Sequence, residues 1–512
     1  MTSLTRLFPD TYVDSVAQLR AMRAMRDEPG VQWASAVMAT PANVEAMPAE
    51  GVDAGDLRDA GANDFCLAVR ADDEDAGKQA IEAGVAAIFA SRESGDAPAE
   101  RPSRSVRQAV TAQPGSTAAV ISVPGQYAAL AAFQALDAGL HVLLFSDNVT
   151  VDEEVALKSY AQSRGLLLMG PGAGTAMLGG TALGFANVVT PGRVGVVAAA
   201  GTGAQEAMCL LDRWGVGVSQ VIGLGGRDLG QQVGGRMALS AVAALRDDPS
   251  TDAILLVSKP PSPAVARAVL DTAGRTPMVA ALIGLDAADF PVPANVTLSR
   301  TLETGVAATL AAVGRTAPDP TTLLGPSIEQ ARARLAPERT AVRGLFSGGT
   351  LCYESLVILS DVLGAVYSNT PINPAWSLPA PPGSHQCLDL GEEEFTRGRP
   401  HPMIDAEARI DVLREHAADE QVACVILDVV LGYGAHPDPA SVLAPVCAQL
   451  MSNGGPQVVA YVLGTEQDPQ RLTAQRSAFV QAGCIVTETA ARASLAAAAV
   501  ATGNAGLVKV RL

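Results

Sequence analysis

The sequence predicts an α/β protein with a small α+β domain at its N-terminus and a duplicated parallel-sheet domain in its second half. Three observations carry that prediction. At 512 residues the chain is too long for one core, and domains of about 100–200 residues imply three or four. From about residue 110 onward, apolar runs bounded by glycine alternate with helical patterns, as in parallel sheets covered on both faces. Two segments, about 193–314 and 343–503, also present the same elements in the same order.

The first hundred residues follow another grammar. A helical pattern at 13–26 precedes an apolar run at 31–40, and a Pro/Gly/Asp-rich stretch leads to a run at 63–70 and a helix around 75–90. This predicts a ferredoxin-like α+β domain over 1–100, with a charged, proline-bearing linker at 91–102. Residues 101–191 read as a Rossmann-like unit. Its strand at 118–123, helix at 127–138 and strand at 141–145 are followed by turns at 146–150 and 170–175. The repeats occupy 192–320 and 343–512, with a linker near 314–326 and a helical stretch at 327–335. Each opens on a strand that runs into G-T-x-x-x-E at a helix start, Gly201–Glu206 and then Gly349–Glu354. IGLGGRDLG corresponds to LDLGEEEF, ILLVSK to VILDVV, and TPMVAALIG to PQVVAYVLG. The shared order predicts two flavodoxin-like domains.

Composition removes several function classes. Lys+Arg 36 against Asp+Glu 53 gives a net charge of −17, which argues against a nucleic-acid or anionic-membrane surface. No 18-residue apolar run is free of glycine and charge, and the N-terminus lacks a signal-peptide core. Seven cysteines without CxxC spacing predict buried thiols in a reducing cytoplasm. The five histidines show no metal-ligand spacing, so no metal site is expected.

A glycine-rich turn entering a helix leaves backbone N–H groups open to an anion. Gly201, Thr202, Gly203, Gly349 and Thr350 are therefore candidate phosphate ligands, with Gly225, Gly226, Asn148 and Thr175 on neighbouring turns. Glu206 and Glu354 stand one helical turn in, where each either orients a reacting group or complements the helix dipole. Arg227 in GGRDLG is a candidate anion ligand, or else pairs with Asp228. Lys259 is one of four lysines and ends a buried strand, where open α/β sheets place ligands. In GRPHPMID, prolines flank Arg399 and His401, a candidate anion ligand and a proton handler. Asp428, inside an apolar strand, needs a partner.

Taken together, ATPAN, LFSDNVT, GTGAQE, GLGGRDLGQQVGG, VSKPP, GRPHPMID and LDVVLGYGA resemble the FdrA family, within the succinyl-CoA synthetase superfamily. The resemblance covers nearly the whole chain. It implies a CoA-binding-type domain at 101–191 and ligase-CoA-type domains at 192–320 and 343–512. The superfamily implies an acyl-CoA synthetase working through a phosphohistidine around 285–305, yet no histidine occurs between His141 and His385. FdrA-type proteins are similar to a subunit of oxamate carbamoyltransferase. That implies a cytoplasmic subunit of an oligomeric complex with unrelated partner subunits. It would move a carbamoyl group between carbamoyl phosphate and a small amide or amine, without a required cofactor. The alternatives are a CoA-binding acyl-CoA synthetase and a non-catalytic scaffold or regulatory subunit.

Overall fold

The computed structural model describes residues 2–13, 15–53, 55–57, 60–89, 103–285, 290–322, 324–396, 400–406, 408–452 and 454–512. The chain divides into two compact units, residues 1–102 with 393–400, and residues 103–392 with 401–512. The expected linker at 91–102 lies outside the described residues.

In the first unit, β1 (Thr2–Phe8), α1 (Ser15–Arg26), β2 (Val31–Met38), α2 (Pro41–Ala46), β3 (Phe65–Ala71) and α3 (Glu74–Phe89) follow one another. The sheet has the order β1-β3-β2 and is antiparallel throughout. β3 alternates its apolar side chains between two small cores. Phe65, Leu67 and Val69 pack with Met25 and Ile81, and Cys66 and Ala68 pack with Met47 and Leu57. This is the order of a ferredoxin-like sheet among the described residues.

The second unit opens with α4 (Val106–Ala112), β4 (Ala118–Ile121), α5 (Gly125–Asp137), β5 (His141–Leu144), α6 (Val151–Ser163) and β6 (Leu168–Met169). β4, β5 and β6 form a parallel sheet in sequence order. A hairpin, β7 (Thr175–Leu178) and β8 (Thr181–Gly184), then joins the next sheet by pairing β7 antiparallel to β10.

The first repeat contains β9 (Pro191–Ala198), α7 (Gly201–Arg213), β10 (Val218–Gly223), α8 (Arg236–Asp247), β11 (Ala253–Ser258), α9 (Pro263–Thr272), β12 (Met278–Leu282), β13 (Val296–Ser299) and α10 (Leu302–Ala312). α11 (Leu324–Arg334) leads to the second repeat and starts earlier than the sequence suggested. That repeat holds β14 (Ala341–Phe346), α12 (Gly349–Leu363), β15 (Val366–Tyr367), β16 (His385–Asp389) and, after the short α13 (Glu393–Thr396) of the first unit, α14 (Ala408–Ala417). It continues with β17 (Val422–Val430), α15 (Pro439–Ser452), β18 (Gln457–Leu463), α16 (Leu472–Gln481), β19 (Ile485–Thr487) and α17 (Ala490–Thr502).

The parallel strands run β10-β9-β11-β12-β13 in one sheet and β16-β14-β17-β18-β19 in the other. Both are the flavodoxin-like order 2-1-3-4-5, so the duplication read from the motifs is present in the topology. α7, α10, α12 and α17 share one apolar core between the two sheets. Every residue of Ala490–Ala501 in α17 is buried, because alanines let this helix pass close to its neighbours. All seven cysteines are free and buried, and no helix among the described residues is long and apolar enough to cross a membrane.

Lys158 on α6 ties the Rossmann-like sheet to the first repeat. Fully buried, its Nζ donates to Glu154 and Asp228, each at 2.8 Å, and to the Leu224 carbonyl at 2.9 Å. Asp228 also accepts from the Met237 and Ala238 N–H groups and so caps α8. Removing the ammonium leaves two carboxylates facing each other out of water. Lys158→Met is expected to destabilise the protein by about 3–5 kcal/mol, read as a lowered denaturation midpoint. An unchanged midpoint would remove the network from the stabilising interactions.

Candidate active site

α7 and α12 begin at Gly201 and Gly349, just past the C-terminal ends of β9 and β14. Each starts beside a switch point, where strand order reverses between β9 and β11 or between β14 and β17. Neither helix has a side-chain cap, since Ala200 and Gly348 precede them, so their first-turn N–H groups remain for other acceptors. The two starts meet. Thr202 Oγ1 accepts from the Thr350 N–H at 3.3 Å. A Cβ on Gly348 would fall 2.7 Å from Thr202 Cγ2, and one on Gly203 would fall 2.9 Å from Thr350 Cγ2. Glycine at 203 and 348 is what permits this approach.

Around the α12 start, Asp428 fixes the preceding turn. Its carboxylate accepts from Ser347 N–H at 2.7 Å, Gly348 N–H at 2.8 Å and the Ser347 hydroxyl at 3.0 Å, and pairs with Arg409 at 3.0 Å. Asp389, at the end of β16, lies so close to Gly349 that a Cβ there would collide with Oδ2. Its Oδ1 accepts the Gly391 N–H at 3.0 Å. Burial, reinforced by the Glu392 charge, raises the Asp389 carboxyl to about 6. His401 sits beside it, with Nε2 2.8 Å from where a Gly391 Cβ would be. His401 Nδ1 accepts the Met403 N–H at 3.2 Å, so the ring proton resides on Nε2. Burial lowers its pKa and keeps the imidazole neutral. From the first repeat, Lys259 Nζ stands 5.3 Å from the centre of the Tyr353 ring, and its charge opposes the rise at Asp389. Open N–H groups, a carboxylate titrating near neutrality, a neutral N–H donor and an ammonium can together hold an anion and move a proton.

The two GTxxxE glutamates do something else. Glu206 and Glu354 are each 1% exposed. The Glu354 Oε1 accepts the Leu302 N–H at 2.6 Å, at the start of α10 in the other repeat. Glu206 accepts the Ala490 N–H, at the start of α17 in the other repeat, and the Tyr461 hydroxyl. Each carboxyl therefore caps a helix start, but that of its counterpart repeat. Thr301 and Thr489 complete the same two caps by accepting from Thr304 and Arg492 N–H. Arg492 and Glu303 then join the two helix starts through bonds of 3.0 Å.

Other expectations need correction. Arg227 pairs with Glu154 at 2.9 Å and donates to the Val149 carbonyl at 2.8 Å, because Asp228 is already committed to Lys158. Thr175 is not on a ligand-side turn. It opens β7, with its hydroxyl spent on the Phe185 carbonyl at 2.7 Å. Gly225, at φ +81°, is pressed against Gly170 and Pro171, whereas Gly226 faces open space. Asn148 is exposed and left-handed, at φ +58°. Arg399 lies outside the described residues. Asp389 was not singled out from the sequence. Its signal was a carboxylate ending a buried strand just before glycine, in the element matching IGLG.

Three family models match the chain: "AllF, heavy metal-associated domain" at residues 1–103, "CoA binding domain" at 189–281 and "CoA-ligase" at 345–500. The CoA-binding match thus falls on the first repeat. "Uncharacterized protein YahF" of Escherichia coli (strain K12) is 38% identical over 506 residues, covering 96% of both chains. The alpha subunits of malate–CoA ligase from Methylorubrum extorquens and of succinate–CoA ligase from Archaeoglobus fulgidus are 30% and 31% identical. Those matches cover 32% and 30% of this chain, and span only 56% and 54% of the subunits themselves. Among solved structures, ATP citrate lyase from Methanothrix soehngenii is 17% identical, with 41% of this chain and 37% of that one covered. Its TM-score of 0.31 carries no argument. The relatives include CoA-ligase subunits, and the fold is acyl-CoA synthetase-like.

Burial raises Glu354 to about 8, against the Leu302 N–H bond that lowers it. Its folded value thus exceeds the unfolded one, and its protonated form stabilises the fold below the unfolded value. That contribution is lost as pH rises from about 4.5 through 8. Glu354→Gln is expected to match the parent near pH 5 and to melt at a higher temperature than the parent near pH 8. Parallel melting curves for the two proteins across that range would contradict this. Separately, Thr202→Val leaves the Thr350 N–H unpaired and is expected to cost about 1–3 kcal/mol, measured by denaturant unfolding.

Proposed function

This chain belongs to the family of the Escherichia coli protein YahF, and from that premise we propose that it is a carbamoyltransferase subunit. In this reading it moves a carbamoyl group between carbamoyl phosphate and a small amide or amine such as oxamate, acting with unrelated partner subunits. One observation carries the reading: two uncapped helix starts from different repeats abut at Thr202 and Thr350, in a chain with no histidine from 142 to 384. An acid-phosphate group is then held without a covalent phosphohistidine, which suits a substrate that arrives already activated. The first-turn N–H groups of α7 and α12, apart from that of Thr350 which Thr202 holds, receive the phosphate, and Lys259 offsets its charge. The His401 Nε2–H donates to the carbamoyl oxygen. The acceptor nitrogen attacks the carbamoyl carbon, the C–O bond to phosphate breaks, and Asp389 takes the proton from nitrogen. Phosphate leaves with the bonding pair.

The CoA-binding and CoA-ligase matches favour a second reading, an acyl-CoA synthetase relative that binds CoA. The start of α5 lies outside the CoA-binding match, and its turn is an unsuitable second place for a diphosphate. A Cβ on Gly125 would fall within 2.6 Å of the Asp147 and Asn148 carbonyl oxygens, so acceptors rather than donors crowd that turn.

Calorimetry of the purified protein with carbamoyl phosphate and with CoA separates the readings. Carbamoyl phosphate is expected to bind and CoA not to bind; the reverse result would replace the first reading with the second. Lys259→Ala is expected to weaken carbamoyl phosphate binding about tenfold or more. In the copurified complex it is expected to slow carbamoyl-phosphate formation by phosphorolysis about a hundredfold. Undiminished phosphorolysis would remove Lys259 from the site.

A further inference from the structure

A cavity of about 560 Å3 opens at the N-terminal ends of β4 and β5, the opposite end of that sheet from the turns at 146–150 and 170–172. The β7–β8 hairpin, β10 and the last turn of α8 complete its walls. The volume is typical of small-molecule sites, and most of the lining is aliphatic, including Leu178, Ile222 and Leu245. Two polar features are fixed in place. His141 Nδ1 accepts the Leu167 N–H at 3.0 Å, so the ring carries its proton on Nε2, which has no partner among the described residues. Burial lowers the His141 pKa and leaves the ring neutral. Opposite it, Gln220 Oε1 accepts the Gly179 N–H at 2.8 Å, and the Gln220 amide donates to Asp248. Among the described residues no lysine or arginine lines the cavity, whereas Asp248 contributes a carboxylate. Anions therefore find no counter-charge here.

We propose that this cavity is a second binding site, for a neutral, largely apolar molecule that presents a hydrogen-bond acceptor to His141 Nε2–H. The site is separate from the helix starts at Gly201 and Gly349 and does not depend on the carbamoyltransferase reading. Its position under the hairpin, which is bonded to β10, makes the first repeat's sheet one wall of the site.

Indole-3-acetamide and indole-3-acetate serve as probes of equal shape, one neutral and one anionic. Saturation-transfer NMR and calorimetry on the full chain are expected to show saturable binding of the amide, about tenfold tighter than the acetate. Ala244→Trp and Thr181→Trp, both at exposed lining positions, fill the cavity without touching the core and are expected to abolish binding. Absent saturable binding of the amide, equal binding of the two probes, or binding retained in both filled variants would each overturn the proposal.

Discussion

The structure depends on a reciprocal exchange of helix caps between its two repeats. A helix start presents unpaired N–H groups, and here these are met by a glutamate carboxyl from the other repeat. Glu354 bonds to α10 and Glu206 to α17, so neither repeat's interface helices are fully satisfied alone. Burying two carboxyl groups side by side raises both, Glu206 to about 7 and Glu354 to about 8, with burial the leading cause. The Glu303–Arg492 pair and the alanine-lined α17 close the same seam. The relation between the repeats is thereby set by directional bonds as well as by apolar packing.

That seam also creates the mouth. Ala200 and Gly348 leave the starts of α7 and α12 without a side-chain cap of their own, and the packing of the repeats brings these starts against each other at Thr202 and Thr350. The flavodoxin-like order puts both starts beside switch points, so the ends of β11 and β16 deliver Lys259 and Asp389 to the same place. The pair comes from different repeats, and no single repeat assembles the cluster. Asp428 and Arg409 hold the α12 turn from beneath, which preorganises it.

The Rossmann-like sheet is fastened to this core by a different device. Lys158 spans from α6 to Asp228, and Arg227 then takes the outer face of Glu154. Asp228 and Arg227 of the GGRDLG loop thus help to join two sheets. A glycine-rich loop with arginine reads equally well as an anion cradle or as an interdomain latch, since both need close backbone approach and a guanidinium.

Periodicity and repeat order were enough to determine the α/β class, the small N-terminal unit and the duplication. Strand burial and helical amphipathicity are local properties, and a copied order of elements implies a copied topology. The same sequence also offered Gly201, Thr202, Gly349, Thr350, Lys259 and His401 as candidates, because glycine turns and rare residues at strand ends stand out without coordinates. Only the tertiary structure decided what their neighbours do. Glu206 and Glu354 look catalytic in a motif, but their partners lie 284 and 52 positions away, at helix starts in the other repeat. Thr175 and Arg227 likewise have protein partners, in Phe185 and Glu154, that no motif announces. Asp389 acquires its near-neutral pKa from burial against Gly349 and Glu392, a property of packing that no motif carries. A sequence names the groups available for chemistry, but long-range contacts determine which of them remain uncommitted.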